Sequence, residues 1–148
     1  MGNIVFNQSL GRVAYDMTLP GTNDALIIVP IEASGIEADN TLRDYDDLGA
    51  LLAAANNEQS TMGRKTVTSV TVTVNDTDNR VEVDIADQTW VAASGNEIAA
   101  LLFCYDNDTT GGTDTNIRPL TKHDFSAIPD GSDLTATITD FFRATSAA

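Results

Sequence analysis

The sequence predicts a mainly β protein: an antiparallel β-sandwich or barrel with one inserted α-helix. Three observations carry this. Between residues 67 and 85, Val70, Val72 and Val74 alternate with Thr71 and Thr73, and Val81, Val83 and Ile85 alternate with Glu82 and Asp84. The polar break at 75–80 separates the two runs, so the period of two spells a β-hairpin with one dry and one wet face. Residues 25–31 are short, β-branched and nearly continuously apolar, the pattern of a strand covered on both faces. Leu42, Tyr45, Leu48, Leu51, Leu52 and Ala55 recur at spacings of three and four, which places the helix near residues 40–56.

In chain order, residues 1–9 stand apart. Asn3, Ile4, Val5, Phe6 and Asn7 form a segment with an apolar middle, which reads equally as an N-terminal arm added to a partner's sheet edge or as the first strand of the chain's own sheet. As an arm, its removal over 1–8 is expected to leave the rest folded. Residues 10–148 read as a single β-rich domain. Residues 10–19 mix apolar and polar positions in a strand-like way, and Pro20, Gly21, Asn23 and Asp24 mark a turn. Pro30 cannot donate a ladder hydrogen bond, so its strand ends there or meets an edge or a bulge. Asp39 or Asn40 is expected to cap the helix, Asp44, Asp46 and Asp47 suit the positive end of its dipole, and Asn56 with Asn57 stops it. After the hairpin, 89–91 and 97–105 read as strands, with a helical turn from 98 as the alternative for the latter. Residues 106–116 form the one long loop, 134–138 the last strand, and Phe141 and Phe142 pack the chain's end onto the core.

A chain of 148 residues is long enough for one core without staples. Its 22 acidic against 8 basic residues give a net charge of −14, which argues against nucleic acid or an anionic membrane as a partner, because both demand clustered cations. Cys104, the single cysteine, sits beside Leu101, Leu102 and Phe103 and is expected to be a small buried hydrophobe. The N-terminus shows no signal-peptide pattern and no run reaches membrane-span length, so synthesis in a reducing cytoplasm is expected.

Several constellations touch on chemistry, and each has a plainer reading. Asp106, Asp108 and Gly111 begin like a calcium loop, but Ile117 stands where the bidentate Glu belongs; Asp106 and Asp108 are weak metal candidates in what reads as a solvated loop. Asp76, Asp78 and Asn79 could gather a cation, although Asx residues favour tight turns for backbone reasons. His123 is the sole histidine, and no G-x-S-x-G elbow accompanies it; Ser132, between Gly131 and Asp133, reads as turn chemistry. Gly111 and Gly112 lack the Lys-Ser/Thr of a phosphate cradle. Paired carboxylates follow from the acidic composition itself. No enzyme activity and no cofactor are expected. Arg64 and Lys65, with Arg80 further on, read either as charge protecting a strand edge or as contacts to acidic residues of a partner subunit.

The strings Leu19-Pro20, 23–27, 34–39, 42–46, 64–66, 81–87, 104–106, 119–121 and 123–125 together resemble a family of small tailed-bacteriophage virion proteins, over residues 10 to 143. The resemblance implies a structural role and carries no catalytic residue. Together with the −14 charge, which is better tolerated outside a shell filled with nucleic acid than inside it, the resemblance leads to the expectation of a capsid decoration, or cement, protein on the outer head surface of the virion, made in the host cytoplasm. Its partner would be the major capsid protein, its own assembly a homo-oligomer, with a trimer as the working guess. Ile4, Val5, Phe6, Arg64 and Lys65 are the candidate capsid or subunit contacts. A tail or neck subunit of the virion is the alternative, and a carbohydrate-binding or hydrolytic virion module with the 106–116 loop as its edge comes third.

Overall fold

A computed structural model describes residues 2–139 and 141–146; of the two segments read from the sequence, Met1 and residues 140, 147 and 148 lie outside the described residues. In chain order the strands are β1 (Ile4–Val5), β2 (Ala25–Glu32), β3 (Lys65–Val67), β4 (Thr71–Asn75), β5 (Arg80–Asp84), β6 (Gln88–Trp90), β7 (Ile98–Asp106), β8 (Ile117–Ala127), β9 (Leu134–Ala136) and β10 (Phe142–Thr145). Three short helices accompany them, α1 (Val13–Asp16), α2 (Asp39–Leu42) and α3 (Leu48–Ala53). A five-stranded sheet in the order β1-β8-β7-β2-β3 forms the centre, with a three-stranded sheet β10-β5-β4 and the pair β6-β9 beside it. The protein is therefore mainly antiparallel β, sandwich-like, and not a closed barrel.

Strand alternation splits the core into two layers around the central sheet. Leu26 and Ile28 of β2, with Leu101, Phe103 and Tyr105 of β7, pack towards Val83, Trp90 and Ala136 of the smaller sheets, Ile85 just after β5, and Val13 and Met17 around α1. Ala25, Ile27, Val29 and Ile31 point the other way and meet Leu102, Cys104, Leu42, Leu48 and Leu51. Strand β2 is thus covered on both faces, as its unbroken apolar run requires. Each fully buried Leu or Ile in these layers contributes about 1.5–3 kcal/mol of transfer free energy. Pro30 is tolerated inside β2 because β3 pairs only with residues 26–28. A residue's N and O face the same side in a strand, and the Pro30 carbonyl accepts from Gln59 N at 2.9 Å beyond the end of β3.

Several local outcomes differ from the pattern read in the sequence, and the alternative left open at residue 98 is closed. Residues 10–19 are not extended: Asp16 N donates to Arg12 O at 2.8 Å and Met17 N to Val13 O at 3.0 Å, a single helical turn that puts Val13 and Met17 into the core. The helical segment near 40–56 is present but divided. Arg43 O accepts from Asn7 N at 2.8 Å, the Gln8 amide donates to Asp46 O, and Asp47 opens a new helix by accepting Ala50 N at 2.7 Å. The first piece is preceded by Ala38, so Asp39 is not its cap. Strand β8, which the sequence reading passed over, is the longest in the protein at 11 residues, and Pro119 sits where its register with β7 slips between Phe103 and Cys104. Residues 98–106 are strand throughout, not a helical turn. The hairpin forms with Val72 opposite Val83 and Val74 opposite Val81, but its dry face is dry only near β5, for Val83 is buried while Val74 is 68% exposed.

Candidate functional site

The structure places the candidate contacts largely inside the molecule. Ile4 and Val5 pair with Lys122 and Thr121 of β8, so the segment is the first strand of the chain's own sheet. Ile4 is buried, Val5 is half-buried, and Phe6 has no exposed surface and donates its N–H to Leu120 O at 3.1 Å. The apolar surface of Ile4 and Phe6 is thus already removed from water within the single chain.

Arg64 is equally engaged. Its guanidinium reaches Glu58 at 2.7 and 2.8 Å and Asp114 at 2.6 and 2.8 Å, a fork answering two carboxylates at once. The Asp114 carboxyl is held below the ordinary carboxylate range, chiefly by this hydrogen bond, and the Arg64 guanidinium is pushed further up in return. The bond ties the start of β3 to the turn at Asp114–Asn116. Lys65 lies with its Nζ 5.4 Å from the centre of the Trp90 ring, within cation–π range. Arg80 pairs with Asp78 at 3.1 Å and with Glu82, inside its own hairpin.

The acidic loops are organised by their own backbone. Asp106 accepts from Asp108 N at 3.0 Å, and Asp108 accepts from Thr110 N at 3.0 Å and from the Thr110 hydroxyl, which lowers the Asp108 pKa. At the hairpin tip, Asn75 Oδ1 accepts from Thr77 N and Asp78 N at 3.1 and 3.0 Å. Such Asx turns explain these residues by local geometry. Among the described residues, no group of three His, Cys, Asp or Glu side chains is gathered for a metal ion.

His123 lines a cleft of about 310 Å³ with Leu101, Phe103, Phe125, Ile138 and Phe141. Its ring meets Phe103 edge-on at 5.0 Å, and Nε2 lies 3.1 Å from the Thr121 hydroxyl. Burial, and then the Lys122 charge, push its pKa down to about 4, so the imidazole is neutral at pH 7. Ser132 instead bonds to Asp130 within its own turn. Cys104 has no exposed surface, and burial pushes its thiol far up, which makes it an unreactive packing residue.

Sequence reasoning missed two ionic clusters, each built on one buried side chain. Lys122 has no exposed surface, and its Nζ lies 2.7 Å from both Asp39 and Asp124. Asp39 also accepts Gly2 N at 2.6 Å, and the Lys122 bond is the main reason its pKa is lowered. The clamp fixes β1, α2 and β8 to one another. Lys122 and Asp124 are two apart on a strand and so share a face, which was the available signal. In the second cluster, buried Asp16 joins Arg12 at 3.3 Å and Arg118 at 3.0 Å; Arg12 and Asp16 show the i,i+4 spacing.

At least five of the eight basic residues, Arg12, Arg64, Arg80, Arg118 and Lys122, are thus paired with carboxylates of the same chain. Asp44, Asp46, Asp76, Asp87, Glu97 and Asp133 are exposed. The exterior is accordingly anionic, and β4 (Thr71–Asn75) carries no charged residue. No protein-family model matches this chain, and neither a curated protein nor a solved structure is significantly similar to it.

Proposed function

We propose that the chain is a capsid decoration, or cement, protein of a tailed bacteriophage, bound to the outer surface of the head and stabilising the shell. The observation that supports this best is the engagement of the basic side chains within the fold. With net charge −14 and most cations neutralised internally, the surface repels packaged nucleic acid and favours the outside of a shell filled with it. The sandwich-like core, covered on both faces of its central sheet, suits a load-bearing part. The mechanism is mechanical: the protein bridges neighbouring major capsid subunits and adds interface area that slows their separation. Because Ile4, Phe6 and Arg64 are engaged internally, the contact surface lies on exposed strand edges and loops instead.

Immunogold electron microscopy of purified virions, with an antibody against this chain, is the test. Label spread over the head is the expected result. Label confined to the tail or neck would replace this reading with that of a ring- or tube-forming subunit, which the open edge of β4 also suits. Intact particles without label would overturn both.

A further inference from the structure

We infer that β4 (Thr71–Asn75) is a self-association edge, and that two copies of this chain join antiparallel along it about a two-fold axis. Sheet edges are normally guarded by brevity, by Lys or Pro, or by a bulge, because an open row of N–H and C=O groups templates pairing. The other edges here follow that rule. Strand β1 has two residues; β3 has three and carries Lys65; β6 and β9 have three each; β10 carries Arg143. Strand β4 has five residues, Thr-Val-Thr-Val-Asn, with no charge and no Pro, and among the described residues it pairs only with β5.

A second copy is the occupant this edge fits best. Pairing centred on Thr73 sets Thr73 against its own counterpart, Val72 against the second copy's Val74, and Thr71 against Asn75. No carboxylate then faces another, on a chain whose exterior elsewhere repels its like. The contact also continues the apolar face of Val81 and Val83 across the axis and covers Val74, which is 68% exposed in the single chain. The result is a closed six-stranded sheet, since each copy uses the uncharged edge of β4. So short an edge buries less than about 1,200 Å², so the dimer is weak in dilute solution and gains from the high local concentration of a multi-copy assembly.

The test uses the full chain alone, so its outcome is independent of the virion reading. Sedimentation equilibrium is run up to about 1 mM, on the native chain and on Thr73→Lys. The lysine lowers the net negative charge and stands beside Glu82 of its own hairpin, so the single chain keeps its fold, while the axis brings two ammonium groups face to face. The native chain is expected to dimerise, and Thr73→Lys to weaken the dimer by about fivefold or more. Thr73→Arg, which sets two guanidinium groups face to face at the same axis, serves as a second variant should the first not fold. Monomer throughout, a stoichiometry other than two, or association unchanged by the cation at position 73 overturns the inference.

Discussion

Replacing Phe6 by Ala separates a docked first strand from a free arm. Phe6 is fully buried in the helix-side layer with Ile27, Val29, Leu42 and Leu102, and its backbone is held by Leu120. Emptying such a site removes the transfer term of the ring and leaves a cavity, together about 3–5 kcal/mol. For a domain of this size each kcal/mol lowers the melting temperature by about 2–4 °C, so a fall of about 6–20 °C is expected. Leu10, nearby in sequence but 67% exposed, is the control, and Leu10→Ala should stay within about 0.5 kcal/mol. Circular dichroism follows the melt, and the emission of Trp90, the single tryptophan and 2% exposed, reports on the opposite layer. Deleting residues 1–8 should likewise unfold the domain, the reverse of what an arm predicts. If Phe6→Ala melts with Leu10→Ala, the segment contributes nothing to the core and the packing argument fails.

Three further substitutions test the electrostatics. His123 is held neutral with a pKa of about 4 against an ordinary 6.5, so its contribution is complete above pH 6.5 and is lost as pH falls towards 4. At pH 5 the loss is about 2 kcal/mol; urea titrations at pH 7 and pH 5 should show that drop in the native chain and not in His123→Gln, and equal pH dependence would refute the assignment. Arg64→Met should cost about 1.5–3 kcal/mol in urea, because it leaves Glu58 and Asp114 facing each other without their shared cation. Adding Asp114→Asn should recover part of that loss, and a neutral Arg64→Met would show that the fork does not hold β3 in place.

What the sequence shows and what it hides divide along sequence distance. The hairpin and β2 are legible because their signal is periodic and local: Val against Thr at every second residue, or an unbroken apolar run. Strand β8 is hidden because Pro119, Lys122, His123 and Asp124 break any such period, and each is tolerated for a reason lying elsewhere in the chain. Pro119 sits at a register slip, and Lys122 is buried because Asp39, 83 residues away, meets it there. The helix near 40–56 divides for a similar reason, since its carbonyls at Arg43 and Asp46 are taken by Asn7 and Gln8 of the N-terminal segment.

The same distance effect decides which surfaces stay open to a partner. An apolar stretch near a terminus and an isolated basic pair look adhesive in a sequence, but whatever makes them adhesive to a partner also makes them adhere to their own chain. Ile4 and Phe6 found the core, and Arg64 found Asp114, 50 residues away. A surface available to partners must lack such internal satisfaction after folding. Strand β4 meets that condition: its alternating Val and Thr specify a strand by local pattern, yet one side of its backbone ladder has no neighbour among the described residues and Val74 stays in water. The stretch that announces the fold most plainly is therefore also the one the fold leaves unfinished.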